Sequence, residues 1–422
     1  MKVLIKQAVI VCPSSPFNGQ TKDILIQDGR IAAIDDTLDA GTGCQVIAEE
    51  GLHASIGWMD IFAHFCDPGL EYRETLETGA AAAAAGGFTT VMMLPNTSPA
   101  LHAKTQVQYV VQKSTQLPVN IIPIGAVTKN TDGAELAEMY DMQQSGAMAF
   151  SDGINAIQNS GLLIKALQYV KTFDGTIIQL PDDKSIAPNG LMNEGVVSTR
   201  LGLPGKPAMA EELVVARDIK LTRYAGSKLH FTGISSAKSI EYIRRAKQAG
   251  IGISCSATPY HLHFTDTDIE TYDTNLKVNP PLRSLADKTA LISAFADGTI
   301  DCFASHHLPQ NVDNKVCEFE YAKAGMIGLE SMFGAVWTVL KDSMPLEQLV
   351  NRLSITPRQI FGLAIPGLQT GDAANITLFN PNRQYVFDKK MIRSKSANTA
   401  FVGKQLTGWV VGIINGQKTH LN

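Results

Sequence analysis

The sequence predicts an α/β protein: a closed (β/α)8 barrel of the TIM type over residues 56–361, carrying a small β-sandwich domain built from residues 1–55 and 362–422. Three observations predict it. Through the middle of the chain, β-branched runs of four to eight residues alternate with alanine-rich or amphipathic helical stretches, the pattern of repeated βα units. About eight such strands can be counted, which suits a closed barrel better than an open sheet. Short β runs separated by turn signals occupy the first ~55 residues and return only after Gly362.

The elements follow in order. KVLIKQAVIV is broken at Pro13–Gly19 and followed by DILIQDGRIAAID, in which Asp28-Gly29 forms a hairpin turn. The clearest βα unit is a helix over 71–85, the Gly86-Gly87 break and the strand FTTVMML. After it come NIIPIGAV, a helix over 134–145, AMAFSD, a helix over 161–172, TIIQLP and a helix over 210–225. KLHFTGI, a helix over 237–249, GISCSATP and TIDCFASHHLP complete the barrel, and ANITLFN, QYVF and WVVGIING belong to the terminal β domain.

Composition narrows the function. Lysine and arginine total 36 against 40 acidic residues, and no basic run could track a phosphate backbone, which argues against a nucleic-acid partner. The longest apolar stretch, Ala80 to Pro95, is interrupted by Gly86, Gly87, Thr89 and Thr90 and falls short of the ~20 residues of a membrane span. Lys6 breaks the N-terminal apolar run and no small-residue cleavage site follows, so no secretory signal is expected. The six cysteines are scattered without a C-x-x-C pair, which reads as reduced thiols in a cytoplasmic protein.

In a (β/α)8 barrel the chemistry sits at the C-terminal ends of the strands. Those ends carry His64 and Cys66, Asn96, Asp152, Gln179, Gly233, His261, and the pair His306-His307.

Four stretches, DPGLEYRETLETGAAAAAAGGFTTVMMLPNTSP, APNGLMNEGVVSTRLGLPGKPAMAEE, YDTNLKVNPPLR and GMIGLES, resemble the dihydroorotase branch of the amidohydrolase superfamily, closest to its long, class I type. The resemblance covers nearly the whole chain and implies a metallo-dependent hydrolase barrel. Such chemistry needs metal because a ring amide is a poor electrophile and water a poor nucleophile until Zn²⁺ lowers its pKa from ~15.7 to about 7. Family members hold metal with a His-x-His pair, a bridging carboxylate or modified lysine, two further histidines, and a late aspartate that also acts as general base.

Mapped onto this chain, the first motif reads DIFAHFCDPG: Asp60 and His64 match, Phe62 stands at the first ligand position, and Cys66 replaces the arginine that grips the substrate carboxylate. The bridging position falls on Asp152, although the family commonly has one more acidic residue there. The next ligand histidine is Gln179 in IIQLPDDKS, the following one is Gly233 in HFTGISS, and the catalytic aspartate has become His306. His230 is expected to face away from the site by period-2 alternation. Asn96, Asn279 and His307 match substrate-binding positions, although turns around Pro95 and Pro280 account equally well for the asparagines.

Phenylalanine and glycine offer no donor atom, and a neutral amide is a feeble zinc ligand. His64 and the histidine pair 306–307 read as packed residues, with acid/base work the alternative for the pair. Cys66 reads as an exposed thiol, and His230, His261 and His263 as core or rim residues.

The pattern of intact scaffold and eroded ligands leads to an expectation: a pseudo-dihydroorotase with no catalytic residue and no cofactor. It would support the catalytic chain of aspartate transcarbamoylase in de novo pyrimidine biosynthesis, as a homodimer or higher hetero-oligomer. Two alternatives accompany it. One is an active cyclic amidohydrolase holding one zinc on His64, Asp152 and His306. The other is a metabolite sensor using Asn96, Asn279 and His307.

Overall fold

Alternating residues on the central strands divide between two apolar layers, and that division closes the barrel. In the computed structural model, which describes residues 1–422, Met59, Ile61, Met92, Leu94, Ile124, Ala149, Ile178, Cys302 and Ala304 cluster inside. Their neighbours Val91, Met93, Ile121, Phe150, Ile177, Leu229, Phe231 and Phe303 belong to the larger cluster under the outer helices. Burial on both faces is what a parallel sheet with helical crossovers requires.

Trp58–Ala63, Phe88–Met93 and Asn120–Pro123 form one parallel arc, and Thr176–Gln179, Lys228–Phe231, Ile253–Ala257 and Cys302–Phe303 form the other. Phe150 bridges the arcs by pairing with Gly125 and Ile177, and Ala63 pairs with His307 to close the ring. The ring therefore closes, its fourth strand reduced to the short segment around Phe150.

Both chain ends build one eight-stranded sheet beside it, in which Asn375–Val386 pairs antiparallel with His53–Ile56, and His53–Ile56 pairs parallel with Lys2–Ile10. Val3, Ile5, Ile24, Ile376 and Ile414 share its core. The hairpin between Thr21–Gln27 and Arg30–Asp35 turns at Asp28 and Gly29, with φ of 51° and 78°, the left-handed geometry of a type I′ turn.

Two helices differ from the sequence reading. The helix expected from residue 71 begins at Leu76, because Thr75 caps it with a reciprocal bond to Thr78. The one expected over 134–145 is only Met139–Gln144, because Leu136 is engaged in a bridge with Thr128. Lys104–Ser114, Leu285–Ala296, Met332–Leu340 and Leu346–Ile360 are further helices around the barrel. No helix is long and apolar enough to cross a membrane.

Candidate active site

The barrel interior has a polar half. His230 on Lys228–Phe231 bonds to Ser254 Oγ at 2.8 Å and Ser256 Oγ at 3.0 Å, and Ser256 donates to Thr232 Oγ1 at 3.1 Å. Thr232 Oγ1 lies 2.7 Å from His306 Nε2, so one hydrogen-bonded chain joins three strands beneath the barrel mouth. The expectation that His230 faces elsewhere is thus corrected: its neighbours Leu229 and Phe231 take the outer layer, which turns His230 inward. Burial, with no counter-charge, holds the His230 imidazole down at about 3.

His306 has φ of 45°, in the left-handed region, and is fully buried. Its ring packs at a tilt against Phe62 with centroids 4.4 Å apart and occupies the space that a side chain at Gly233 would need. Its Nδ1 has no partner. Burial, reinforced by His261 and His230, keeps this imidazole neutral, with its pKa pushed down to about 3.

His64 is equally committed. The Cys66 amide donates to its Nδ1 at 2.9 Å, so Nδ1 is the unprotonated nitrogen and Nε2–H donates to Asn96 O at 3.0 Å. Neither nitrogen keeps a free lone pair. Cys66 itself is buried, not exposed, and burial pushes its thiol up to about 12, so it is no nucleophile.

Gln179 points toward the outer helix: its Nε2 donates to Ile157 O at 3.3 Å and Asp218 Oδ2 at 3.2 Å. Asn96 spends its amide on Thr131 Oγ1, Asp152 O and the Ile154 amide. Asn279 reaches Asp182 at 3.5 Å. His307 lies between Glu74 Oε2 at 3.3 Å and the Gly328 amide at 3.3 Å. His261 is held by Thr258 and the carbonyls of Pro280 and Pro281, and His263 packs against Phe401.

The family's metals do not fit these residues. Phe62 and His306 fill the cradle beside Gly233, His64 has no lone pair to give, and no group of three or more His, Cys, Asp or Glu side chains converges anywhere in the chain. The alternative set of His64, Asp152 and His306 is likewise not assembled.

Asp152 stands apart. It lines a polar cavity of about 320 Å³ at the C-terminal ends of the third to fifth strands, with Thr131, Asn155, Gln158 and Lys184 among the other walls. Thr128 donates to it twice, from its amide at 2.9 Å and its hydroxyl at 2.6 Å, yet burial outweighs both bonds and raises the carboxyl to about 6. Lys184 Nζ sits 3.1 Å from Asn155 Oδ1. A carboxyl titrating near neutrality on the wall of a polar cavity can exchange protons with a bound molecule. Thr128 and Lys184 carry no sequence signal, since they fall in irregular loops.

Residues 54–239 match the family model described as dihydro-orotase-like. The chain is 40% identical over 411 residues to a protein named dihydroorotase from Pelotomaculum thermopropionicum, covering 97% of this chain and 96% of the relative. A dihydroorotase from Caldanaerobacter subterraneus subsp. tengcongensis is 39% identical over 422 residues, 99% and 97% of the two chains. Among solved structures, an L-hydantoinase (dihydropyrimidinase) from Arthrobacter aurescens superposes with a TM-score of 0.85 at 24% identity, over 99% of this chain and 95% of that one. A dihydropyrimidinase from Brevibacillus agri gives 0.82 at 21% identity, over 100% and 95%.

Proposed function

The chain belongs to the dihydroorotase-like family, and from that premise we propose that it opens and closes a cyclic amide of the dihydroorotate type. The observation that carries the reading is similarity along the full length, at 37% to 40% identity, to proteins named dihydroorotase. This corrects the expectation of a silent support for aspartate transcarbamoylase. The relatives that span the whole chain bear an enzyme's name, and lost ligands remove one way of activating water without removing every acid or base.

The chemistry falls to Asp152 and the cavity it lines. Its carboxylate takes a proton from water as the water oxygen attacks the ring carbonyl; the C–N bond breaks, and the proton passes to the departing nitrogen. Cyclisation runs the same steps backward. Lys184 supplies positive charge for a substrate carboxylate, in place of the arginine whose position Cys66 occupies. The two Thr128 bonds fix the carboxylate's orientation. A cavity of about 320 Å³ lies within the range of small-molecule sites.

The test is turnover by the purified protein of dihydroorotate and, in the other direction, of carbamoyl aspartate, alongside Asp152→Asn. Turnover in the parent that the variant loses is the expected result. A parent inactive in both directions overturns the reading, and turnover unaffected by Asp152→Asn overturns the role of Asp152.

A further inference from the structure

A second cavity, of about 760 Å³, opens between the turn 273–275, the loop 310–316 and the segment 395–402. Its charged lining consists of Lys315, Lys389 and Lys395 against the single carboxylate of Asp273. None of the three ammonium groups has an ionic partner. Lys315 Nζ donates to Thr274 O at 2.9 Å and Lys395 Nζ to Glu71 O at 2.7 Å, while Asp273 spends Oδ1 on the Asn275 amide at 2.9 Å.

Lys315 is only 7% exposed. The neighbouring buried lysine, Lys277, also finds only carbonyl oxygens, those of Phe319 and Glu320. A buried ammonium short of counter-charge is costly, and burial together with Lys277 outweighs the nearby Asp273 carboxylate and holds Lys315 down at about 7. Asn311 lines the same cavity with a buried Oδ1 that accepts from nothing. The exposed ring of Tyr72 stands on its wall.

We propose that this cavity is a binding site for a phosphate-bearing small molecule, separate from the Asp152 cavity. Positive charge is in excess along this lining, which is what a polyanion neutralises. Its carriers are lysines, which meet phosphate as point charges. The volume accommodates a metabolite of nucleotide size. Asn311 Oδ1 fits a ligand hydroxyl, and the Tyr72 ring offers a face for a flat group.

Titration calorimetry of the full chain at low salt, with ATP, inorganic tripolyphosphate, citrate and adenosine as probes, tests the site. The expected result is one-to-one binding of ATP and tripolyphosphate, weakened about tenfold or more when Lys389 and Lys395, both exposed, are changed together to alanine. Tighter binding of ATP than of tripolyphosphate identifies a nucleoside phosphate; equal binding identifies the phosphate group itself. Lys315→Met is expected to weaken both probes as well, and the exposed pair keeps the test valid if that variant folds poorly. Neither probe binding at millimolar concentration overturns the proposal, as does affinity unchanged in the Lys389/Lys395 double variant. Citrate binding as tightly as tripolyphosphate overturns the assignment to phosphate.

Discussion

Gly233 and His306 exclude one another's side chains: a Cβ built on Gly233 would lie 2.6 Å from His306 Cε1 and 3.3 Å from its Nε2. The ring of one residue occupies the volume the other leaves empty, and Phe62 packs against that same ring with centroids 4.4 Å apart. Gly233 and Phe62, 73 and 244 positions before His306 in the chain, would therefore disturb the same packing if changed singly; both answer to His306 rather than to their sequence neighbours.

Gly233→Ala is expected to destabilise the protein by about 2–4 kcal/mol, from overpacking and from a φ of +70° that alanine adopts poorly. Adding His306→Ala removes the clash, so the double variant loses less than the sum of the single ones. Urea unfolding of the four proteins in the cycle measures this. Strict additivity would mean the two sites do not touch.

Acid should unfold the protein early. His64, His230 and His306 are held near 3, and His261 and His263 near 4, chiefly by burial. Each is neutral when folded and takes a proton when unfolded below about pH 6.5, so its contribution is complete above that pH and declines as pH falls toward the folded value. Asp152 and Asp218, raised to about 6, and Asp60, also raised, act in the opposite sense, because the folded state takes up their protons first. The histidines outnumber them, and a net loss of roughly 3 kcal/mol per pH unit between pH 6 and 4 is expected. Denaturant midpoints that stay level from pH 7.5 to 5 would contradict it.

The rate of ring opening should rise with pH through about 6 as Asp152 loses its proton. Asp152→Asn is expected to lower kcat about 100-fold or more with little change in KM, since general-base catalysis typically contributes 10²–10⁴-fold. A pH profile flat from 5 to 8 would remove Asp152 from the reaction.

Glu74 ties the barrel to the C-terminal segment. It is buried and accepts from the Lys395 amide at 3.0 Å, from Ser394 Oγ and from Thr78 Oγ1, and it lies 3.3 Å from His307. Glu74→Ala is expected to cost about 3–5 kcal/mol by leaving these groups unpaired. Hydrogen exchange should quicken at 394–398 before the rest of the sheet. Unchanged protection there would show that the segment is held by other contacts.

Because His64 and His306 have no arrangement for a shared cation, neither excess zinc nor dialysis against EDTA is expected to move the melting temperature. A cation held at 100 times its Kd would add about 2.7 kcal/mol. A rise of several degrees with zinc would reveal ligands that these side chains do not present.

Period and punctuation made most of the architecture legible. Apolar runs at strand length, the Gly86-Gly87 break and the Asp28-Gly29 turn act over a few residues, so they can be read locally. Helix starts were less legible: Thr75 displaces the start of its helix by a cap, and Leu136 is drawn from helix into a bridge. At the site, the residue types at 62, 152, 179, 233 and 306 were visible in the chain, whereas their partners were not. Thr128, Lys184 and the Thr232–Ser256–His230 chain acquire roles only through contacts across strands.

The barrel and the membership of its family are legible from residue identity and spacing along the chain. Three-dimensional packing is what sets His306 in the space beside Gly233, leaves His64 without a free lone pair, buries Cys66, and lines an open polar cavity with Asp152, its carboxyl raised to about 6. Burial, lone-pair occupancy and pKa are set by atoms brought together from distant parts of the chain, and no local pattern carries them.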